Sequence, residues 1–275
     1  MTSHPLLEPA VDIARRAGAV LMSHFRQPLT REQKSSDIDF ATAADRESEA
    51  FIVSALMQLT PDYHIVGEEG GGYGADRTTA PYLWLVDPLD GTVNFASNLP
   101  YFSVVLALTT PDLQPVLGVV YDPNRDEVFH AVKGKGAFCN GRPMRVSDTR
   151  QLSDALICSG FPYDRRTNPD NNIKQWTAFI LKVRDLRRLG SAALDMCYVA
   201  DNRLDGFWER SLNPWDAVAS MLIVREAGGV VTDYDGHPDP QHQPGGRYMA
   251  ANPHIHPQMM AIMQESYRDP CTSPS

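Results

Sequence analysis

The sequence lacks a basic block, and no segment is apolar enough to span a membrane. Its 25 Lys and Arg residues are outnumbered by 34 Asp and Glu residues, which gives a formal net charge of -9 at pH 7. A nucleic-acid-binding surface normally shows as a basic patch, so this composition opposes a general nucleic-acid partner. A membrane span needs about 18 consecutive apolar residues, and residues 1–9 carry no signal-peptide pattern. We therefore expect a cytoplasmic protein that binds neither nucleic acid nor a membrane.

Cysteine is also scarce. The four cysteines are far apart and form neither a CxxC pair nor a zinc-like spacing with histidine. This pattern is typical of a protein in a reducing compartment. Of the 275 residues, 43% are hydrophobic, which is enough to bury the core of one large domain or of two closely joined subdomains.

Hydrophobic periodicity predicts the helices and strands. Apolar residues at helical spacing predict helices over 6–25, 43–59, 169–183, 192–200, 214–227 and 256–266. Short β-rich runs predict strands over 63–66, 83–86, 103–108, 116–121, 127–132, 155–159, 203–209 and 230–233. We expect a loop around Lys34 and flexible, glycine-rich sequence through Gly74.

The arrangement of these elements changes near residue 150. Turn residues separate the strands of the first half, which predicts an antiparallel meander, whereas strands and helices alternate in the second half. We therefore predict an N-terminal α+β subdomain with an antiparallel sheet over 1–150, a C-terminal α/β subdomain with a mixed sheet over 151–268, and a flexible polar tail over 269–275. The two subdomains are expected to pack closely.

The most informative segment is 84–95, WLVDPLDGTVNF, in which an apolar strand ends in two acids, a proline and a glycine. Pro88 and Gly91 favour a turn in which the carboxylates of Asp87 and Asp90 converge. Such an oxygen cluster suits a hard cation such as Mg²⁺. The helical turn expected to follow would present free backbone N–H groups to a phosphate. Taken alone, these residues also fit an ordinary surface turn.

Two further acidic positions favour a metal site over an ordinary surface turn. Glu68 and Glu69 end another strand-like run, and only one of them needs to face the first two acids; we favour Glu68. Asp216 lies in the first turn of a predicted helix that Asn213 caps and Pro214 begins. Because the helix dipole alone explains an aspartate there, Asp216 is a candidate metal ligand only in the context of the other acids.

Together these segments resemble the inositol monophosphatase family, a group of metal-dependent, lithium-sensitive phosphatases. Both family signatures are intact, as 84–95 and as WDAVA at 215–219 with EAGG at 226–229. The resemblance spans nearly the whole chain and departs at Val93, where many members carry a second threonine. It implies an α/β (α+β) fold, a layered αβαβα sandwich of the inositol monophosphatase and fructose-1,6-bisphosphatase type, and a homodimer.

The resemblance also implies two or three Mg²⁺ ions. Glu68, Asp87 and the Leu89 carbonyl would hold one ion. Asp87, Asp90 and Asp216 would hold a second ion. These cations would reverse the local field, without which an acidic protein repels a phosphate.

The family pattern implies roles for further residues. The catalytic residues would be Thr92, Asp45 and Glu68, with Thr92 positioning a metal-activated water, although Asp45 alone also fits a helix cap. The residues expected to bind substrate are Asp90, Gly91, Thr92, Gly190, Ser191, Ala192, Glu209, Asp216 and Lys34. We place Arg187 and Arg188 outside the site, because both can pair with surface acids.

The implied reaction is Mg²⁺-dependent hydrolysis of a small-molecule phosphate monoester, with inositol 1-phosphate as the first candidate. Histidinol phosphate, fructose 1,6-bisphosphate, adenosine 3',5'-bisphosphate and NADP are alternatives, because the metal motif does not separate them. A different class, a non-catalytic interaction protein of the transcription machinery, also stays open. The complete acid set favours an enzyme.

Overall fold

The computed structural model describes residues 4–28, 31–36, 39–243 and 245–268, and of 31–36 and 39–40 the backbone alone. Its α-helices are α1 (Leu7–His24), α2 (Ala43–Leu59), α3 (Thr92–Ala96), α4 (Ile173–Ile180), α5 (Ala192–Ala200), α6 (Pro214–Glu226) and α7 (His256–Tyr267). Its strands are β1 (Arg31–Ser36), β2 (Asp39–Thr42), β3 (His64–Gly67), β4 (Gly71–Gly74), β5 (Leu83–Asp90), β6 (Ser103–Thr109), β7 (Pro115–Asp122), β8 (Glu127–Val132), β9 (Ala137–Cys139), β10 (Arg142–Pro143), β11 (Leu156–Ser159), β12 (Asp185–Arg187), β13 (Gly206–Glu209), β14 (Val230–Thr232) and β15 (Tyr248–Ala251).

Two sheets carry the fold. The larger sheet has eight strands in the order β10-β9-β8-β7-β6-β5-β3-β4, antiparallel except for the parallel pair of β3 and β5. The smaller sheet has five strands in the order β12-β11-β13-β15-β14. It is mixed, because β11 pairs in parallel with β12 and β13 while β15 pairs antiparallel with β13 and β14.

The central strands of the larger sheet are apolar on both faces because each face covers a different core. On β5, Trp84 and Val86 pack with residues of α1 and α2, whereas Leu85 packs with residues of α5 and α6. A third core joins the smaller sheet to α4 and α7. The layers are thus α1 and α2, the larger sheet, α5 and α6, the smaller sheet, and α4 and α7, which confirms the predicted αβαβα sandwich.

Helix α6 lies so close to the larger sheet that a side chain is excluded at one point. A Cβ on Gly118 of β7 would be 2.6 Å from the carbonyl oxygen of Ala219 in α6, well inside contact distance. Gly118 therefore determines how near α6, and Asp216 in its first turn, approaches the sheet.

Several local predictions are wrong. The loop expected around Lys34 is a hairpin of β1 and β2, and the flexible segment through Gly74 is strand β4, paired with β3. The antiparallel first half contains the parallel β3–β5 pair. Helix α4 begins only at Ile173, because Asn172 before it has a φ of 72° and cannot belong to a right-handed helix.

Strands β12 and β15 were not predicted, and the strand expected from residue 203 begins at Gly206. Short strands are stabilised by their partners, which local sequence does not display. The tail at 269–275 lies outside the described residues. The subdomain division near residue 150 stays a prediction.

Candidate active site

Strand β5 brings two carboxylates to one end of the larger sheet. Its pairing with β6 is irregular between Asp87 and Asp90, and such an irregularity redirects side chains. Asp87 is 2% exposed and accepts a hydrogen bond from the backbone N–H of Leu89 at 2.9 Å. Asp87 and Asp90 both line the same cavity.

Three carboxylates from separate elements meet at this point. Because β3 runs parallel to β5, Glu68 lies beside β5, and its N–H donates to the carbonyl of Val86 at 3.1 Å. Asp216 comes from the first turn of α6 and accepts a hydrogen bond from the N–H of Asn213 at 2.7 Å. Carboxylate oxygens of Glu68, Asp87 and Asp216 all lie within 4.8 Å of one another.

Burial and like charge act together on this cluster. Burial raises the pKa of Asp87 well above its ordinary value, and the charges of Glu68, Asp90 and Asp216 raise it further. Burial, and next the charge of Glu68, likewise raises the pKa of Asp216 well above its ordinary value. Burial and like charge therefore both disfavour the ionised form of these carboxyl groups, and a bound cation would offset that effect. An oxygen donor set of this kind fits a hard divalent cation.

Asp90 contacts helix α5. Its carboxylate accepts hydrogen bonds from the Ser191 hydroxyl and from the N–H groups of Ala192 at 3.2 Å and Ala193 at 2.9 Å. Asp90 therefore caps the N-terminus of α5 from a distant part of the chain. Burial raises the pKa of Asp90 to about 6, against the opposing effect of these hydrogen bonds.

Thr92 and Asp45 lie next to each other. The Thr92 hydroxyl donates to the Leu89 carbonyl at 3.1 Å and lies 3.3 Å from Oδ1 of Asp45. Asp45 also caps α2, because its carboxylate accepts from the N–H of Thr42 at 2.8 Å. The helix-cap interpretation of Asp45 and its proximity to Thr92 are therefore compatible.

Gly91 and Gly190 bring two segments into close contact. Both have a φ of 98°, in the left-handed region that favours glycine. A Cβ on Gly91 would lie 3.2 Å from the carbonyl oxygen of Gly190. Asn94 ties the same segments together, because its amide donates to the carbonyls of Tyr101 and Leu189 at 2.8 Å each. The segment after β5 is thus held against the segment before α5.

Most of the predicted site residues surround a cavity of about 460 Å³. Those lining it are Glu68, Asp87, Leu89, Asp90, Gly91, Thr92, Gly190, Ala192, Glu209 and Asp216. Ser191 and Asp45 are fully buried and reach this group through their hydrogen bonds to Asp90 and Thr92. The side chain of Lys34 lies outside the described residues.

Arg188, which the sequence analysis places outside the site, lies at the cavity. Arg188 and Arg210 both line the cavity, whereas Arg187 pairs with Asp185 instead. Successive residues of an extended chain point to opposite sides, and this alternation is the signal that could have separated the two neighbouring arginines. Burial raises the pKa of Glu209, another lining residue, to about 8, and the positive charge of Arg188 opposes that rise.

Glu49 of α2 is a further residue that sequence reasoning missed. Glu49 is 3% exposed. Its carboxylate accepts hydrogen bonds from the N–H groups of Glu69 at 2.9 Å and Gly70 at 2.8 Å. The Tyr73 hydroxyl donates to it at 3.0 Å. Glu49 therefore fixes the hairpin of β3 and β4 at the turn that carries Glu68.

Comparison with known proteins identifies the family. The model of the inositol monophosphatase family matches residues 2–268 of the chain. The chain belongs to the inositol monophosphatase family. It is 41% identical over 253 residues to an inositol-1-monophosphatase of Synechocystis sp., covering 92% of this chain and 86% of that protein. It is 39% identical over 269 residues to the Nus factor SuhB of Salmonella typhimurium, covering 97% and 98% of the two chains.

The solved structures agree. An inositol monophosphatase from Anabaena (Nostoc) sp. superimposes with a TM-score of 0.84 at 39% identity, covering 94% of this chain and 95% of that one. Membership in the inositol monophosphatase family supports phosphatase activity, and the acidic cluster could bind a metal. In the described ranges, no helix is both long and apolar enough to cross a membrane.

Proposed function

We propose that this protein hydrolyses a small phosphate monoester in a Mg²⁺-dependent reaction, with inositol 1-phosphate as the first candidate substrate. The observation that carries the proposal is the convergence of Glu68, Asp87 and Asp216 in a cavity that also contains Thr92. The Synechocystis relative supports inositol 1-phosphate by its name. The alternative substrates to be compared with inositol 1-phosphate are histidinol phosphate, fructose 1,6-bisphosphate, adenosine 3',5'-bisphosphate and NADP.

The proposed metal ligands are carboxylates that line the cavity, together with one backbone carbonyl. Glu68, Asp87 and the Leu89 carbonyl would hold one ion, and Asp87, Asp90 and Asp216 a second. Bound Mg²⁺ neutralises phosphoryl charge and makes water more acidic. The raised pKa values of Asp87 and Asp216 support this assignment, because burial and neighbouring carboxylates disfavour their charged forms, which a bound cation would stabilise.

The remaining residues would orient the substrate and the attacking water. Thr92 would position the water and accept a proton from it, and Asp45, whose Oδ1 lies 3.3 Å from the Thr92 hydroxyl, would accept the proton that this hydroxyl gives up. Glu68 would complete the catalytic set. The residues proposed to contact the substrate are Asp90, Gly91, Thr92, Gly190, Ser191, Ala192, Glu209, Asp216 and Lys34.

The variant Asp87→Asn tests the metal assignment. Asparagine keeps an oxygen that can accept from the Leu89 N–H but removes one negative charge from the cluster. We expect Mg²⁺-dependent phosphate release from inositol 1-phosphate to fall by at least about a hundredfold. We also expect the melting temperature in chelator to stay the same or rise, because a like-charge repulsion is lost. Asp112→Asn, at an exposed surface position, is the control. Near-normal turnover in Asp87→Asn would refute the assignment.

The relatives named Nus factor SuhB favour a second candidate function, a non-catalytic interaction protein of the transcription machinery. Phosphate release with and without Mg²⁺ separates the two candidates. Metal-dependent turnover of any of the phosphates named above supports the enzyme. Its absence from all of them favours the interaction role.

A further inference from the structure

Asp195 is a buried carboxylate that does not line the cavity. It lies in the first turn of α5 and is 1% exposed. Its carboxylate accepts hydrogen bonds from the hydroxyl of Tyr101 at 2.7 Å and from the thiol of Cys158 at 3.1 Å. Tyr101 lies just before β6 and Cys158 belongs to β11, so one side chain joins three separate parts of the fold.

The stability of α5 alone does not explain this carboxylate. The helix dipole favours an acid in the first turn, but an exposed acid would gain that benefit without the cost of burial. Burial raises the pKa of Asp195 to about 7, against the opposing effect of the hydrogen bonds from Tyr101 and Cys158. The folded protein therefore loses stability as the pH rises from 3.8, the ordinary pKa of the group, to about 7. We look instead to what the hydrogen bonds of Asp195 hold in place.

Tyr101 contacts the turn that carries Thr92. The backbone carbonyl of Tyr101 accepts a hydrogen bond from the side-chain amide of Asn94 at 2.8 Å. The same carbonyl oxygen would be 3.1 Å from a Cβ on Gly91, so the two backbones are in close contact there. Tyr101 therefore packs against both ends of the turn from Gly91 to Asn94, and Thr92 lies within that turn.

The side chain of Tyr101 is held at several points. Tyr101 is 6% exposed, and its ring makes an edge contact with the ring of Tyr198, with the centroids 5.7 Å apart. Its hydroxyl, at the far end of the ring, is bound by Asp195. Because a tyrosine side chain is rigid and turns about only two torsions, holding the hydroxyl also restrains the backbone carbonyl at the other end of the residue.

Asp195 also belongs to the helix whose N-terminus Asp90 caps. The N–H of Asp195 donates to the carbonyl of Ser191 at 2.9 Å, so the two residues are one helical turn apart. The Ser191 hydroxyl and the N–H of Ala193 donate in turn to the carboxylate of Asp90. The hydrogen bond between Tyr101 and Asp195 therefore joins the turn that carries Thr92 to the start of α5.

We propose that Asp195 is a positioning residue for the hydrolysis: through its hydrogen bond with Tyr101 it holds Thr92 in place relative to Asp90. This inference rests on the proposed function, in which Thr92 positions the attacking water. Displacing a reacting group by about 1 Å can slow a reaction by about a hundredfold, even where the changed residue is far from the chemistry. Asp195 does not reach the cavity, so it acts through Tyr101.

The variant Tyr101→Phe tests the inference, because it removes one hydroxyl and keeps the ring. For the phosphate that the wild-type protein hydrolyses fastest, we expect kcat at saturating Mg²⁺ to fall by about tenfold and KM to stay within about twofold. A second readout does not depend on turnover. Hydrogen exchange of the backbone amides of residues 91–98, followed by mass spectrometry, should become faster by at least about threefold.

Cys158→Ala is the matched control. It removes the other donor to the same carboxylate, but the hydrogen bond of Cys158 leads to β11 and not to the turn at 91–94. We expect a lower melting temperature, because Asp195 loses a partner, with kcat within about twofold of the wild-type value and hydrogen exchange of 91–98 unchanged.

Variants of Asp195 itself separate the loss of this hydrogen bond from a general loss of structure. Asp195→Asn keeps an acceptor oxygen for the Tyr101 hydroxyl and should retain more kcat than Asp195→Ala. Adding Tyr101→Phe to Asp195→Ala should cause no further loss of kcat, because both changes remove the same hydrogen bond. If Asp195→Ala does not fold, Tyr101→Phe and Cys158→Ala decide.

Four results would overturn the inference: a wild-type kcat in Tyr101→Phe, a loss of kcat without faster hydrogen exchange of 91–98, an equal loss of kcat in Cys158→Ala, or losses that multiply in the double variant. Absence of phosphate release by the wild-type protein from every compound would instead refute the proposed function. Hydrogen exchange would still show whether Tyr101 and Asp195 hold the turn, so the two failures are distinguishable.

Discussion

At the scale of single residues, the surroundings of the cavity shift the pKa values of several carboxyl groups that line it. Burial raises the pKa of Glu209 to about 8; Arg188 opposes this rise, while Asp195 and Asp90 add to it. The carboxyl group occupies space that a side chain at residue 160 would otherwise fill. A Cβ on Gly160 would lie 1.9 Å from Oε1 of Glu209. The environment of Glu209 therefore favours its neutral form.

We predict that Glu209→Gln raises the melting temperature of the metal-free protein at alkaline pH. The carboxyl titrates near 4.5 in the unfolded chain and near 8 in the folded protein. Between these values the folded state binds the extra proton, so the wild-type protein loses stability as the pH rises through this window, with no further loss above it. Glutamine does not titrate, so the difference in melting temperature between Glu209→Gln and the wild-type protein should grow up to about pH 8 and then level off.

Calorimetry in chelator between about pH 5 and pH 9 measures this difference. Glu8→Gln, at an exposed position of α1, is the control and should show no comparable trend. A gain from Glu209→Gln that is equal at both ends of the range would contradict the idea that a buried, titrating carboxyl group causes it.

The residues that sequence reasoning found differ physically from those it missed. Asp87 and Asp90 stand out because Pro88 and Gly91 interrupt an apolar strand, a local signal. Glu49 lies in a charged helical segment that reads as a solvated face, and its partners are backbone N–H groups twenty residues further on. Such a role depends on the tertiary fold and leaves no local pattern.

At the scale of elements, three helices begin at carboxylates of the site. Asp45 and Asp216 take part in capping boxes at α2 and α6, and Asp90 caps α5 from β5. The positive ends of the helix dipoles partly offset the like charges gathered there. Cap residues are visible in sequence, so the predicted bounds of α2 and α5 agree with the structure. The short strands β4, β12 and β15 have no such markers.

The hairpin of β3 and β4 gives a prediction at this scale. We expect Glu49→Gln to raise the Mg²⁺ concentration for half-maximal activity by about tenfold. Glutamine offers one acceptor oxygen, so an N–H of Glu69 or Gly70 loses its partner. A hydrogen bond to a charged group contributes about 1.5–3 kcal/mol, enough to loosen the turn that carries Glu68.

Phosphate release measured during a Mg²⁺ titration tests this expectation. Glu47→Gln is the matched control, because Glu47 lies on the same helix and is hydrogen-bonded to His24 at the surface. A variant with a lower kcat at saturating Mg²⁺ and an unchanged Mg²⁺ requirement would show that Glu49 does not act through the position of Glu68.

At the scale of the whole molecule, the site exists only when both sheets are assembled. Glu68 and Asp87 come from the larger sheet, Asp216 from the helix layer between the sheets, and Glu209 from the smaller sheet. Residues so far apart in sequence could be grouped only by resemblance to a family, not by spacing. Because their charges repel, assembly without a cation stores unfavourable energy in the folded state.

We therefore predict that Mg²⁺ raises the melting temperature more at about pH 8 than at about pH 5.5. The pKa of Asp90 is raised to about 6, and those of Asp87 and Asp216 well above their ordinary values. Above their unfolded pKa values, the metal-free folded protein binds more protons than the unfolded chain, so its stability falls as the pH rises. Bound Mg²⁺ would compete with those protons, and this competition would weaken as the pH rises.

Calorimetry with Mg²⁺ and with chelator gives, at each pH, the increment in melting temperature that Mg²⁺ causes. In Asp87→Asn the pH dependence of the increment should shrink, because one titrating ligand of the cluster is gone. Asp112→Asn, a surface change, should leave it unaltered. An equal rise in melting temperature at both pH values in the wild-type protein would mean that Mg²⁺ binds away from the cluster of Glu68, Asp87 and Asp216. The stabilising Mg²⁺ site would then have to be sought among other residues of this acidic protein.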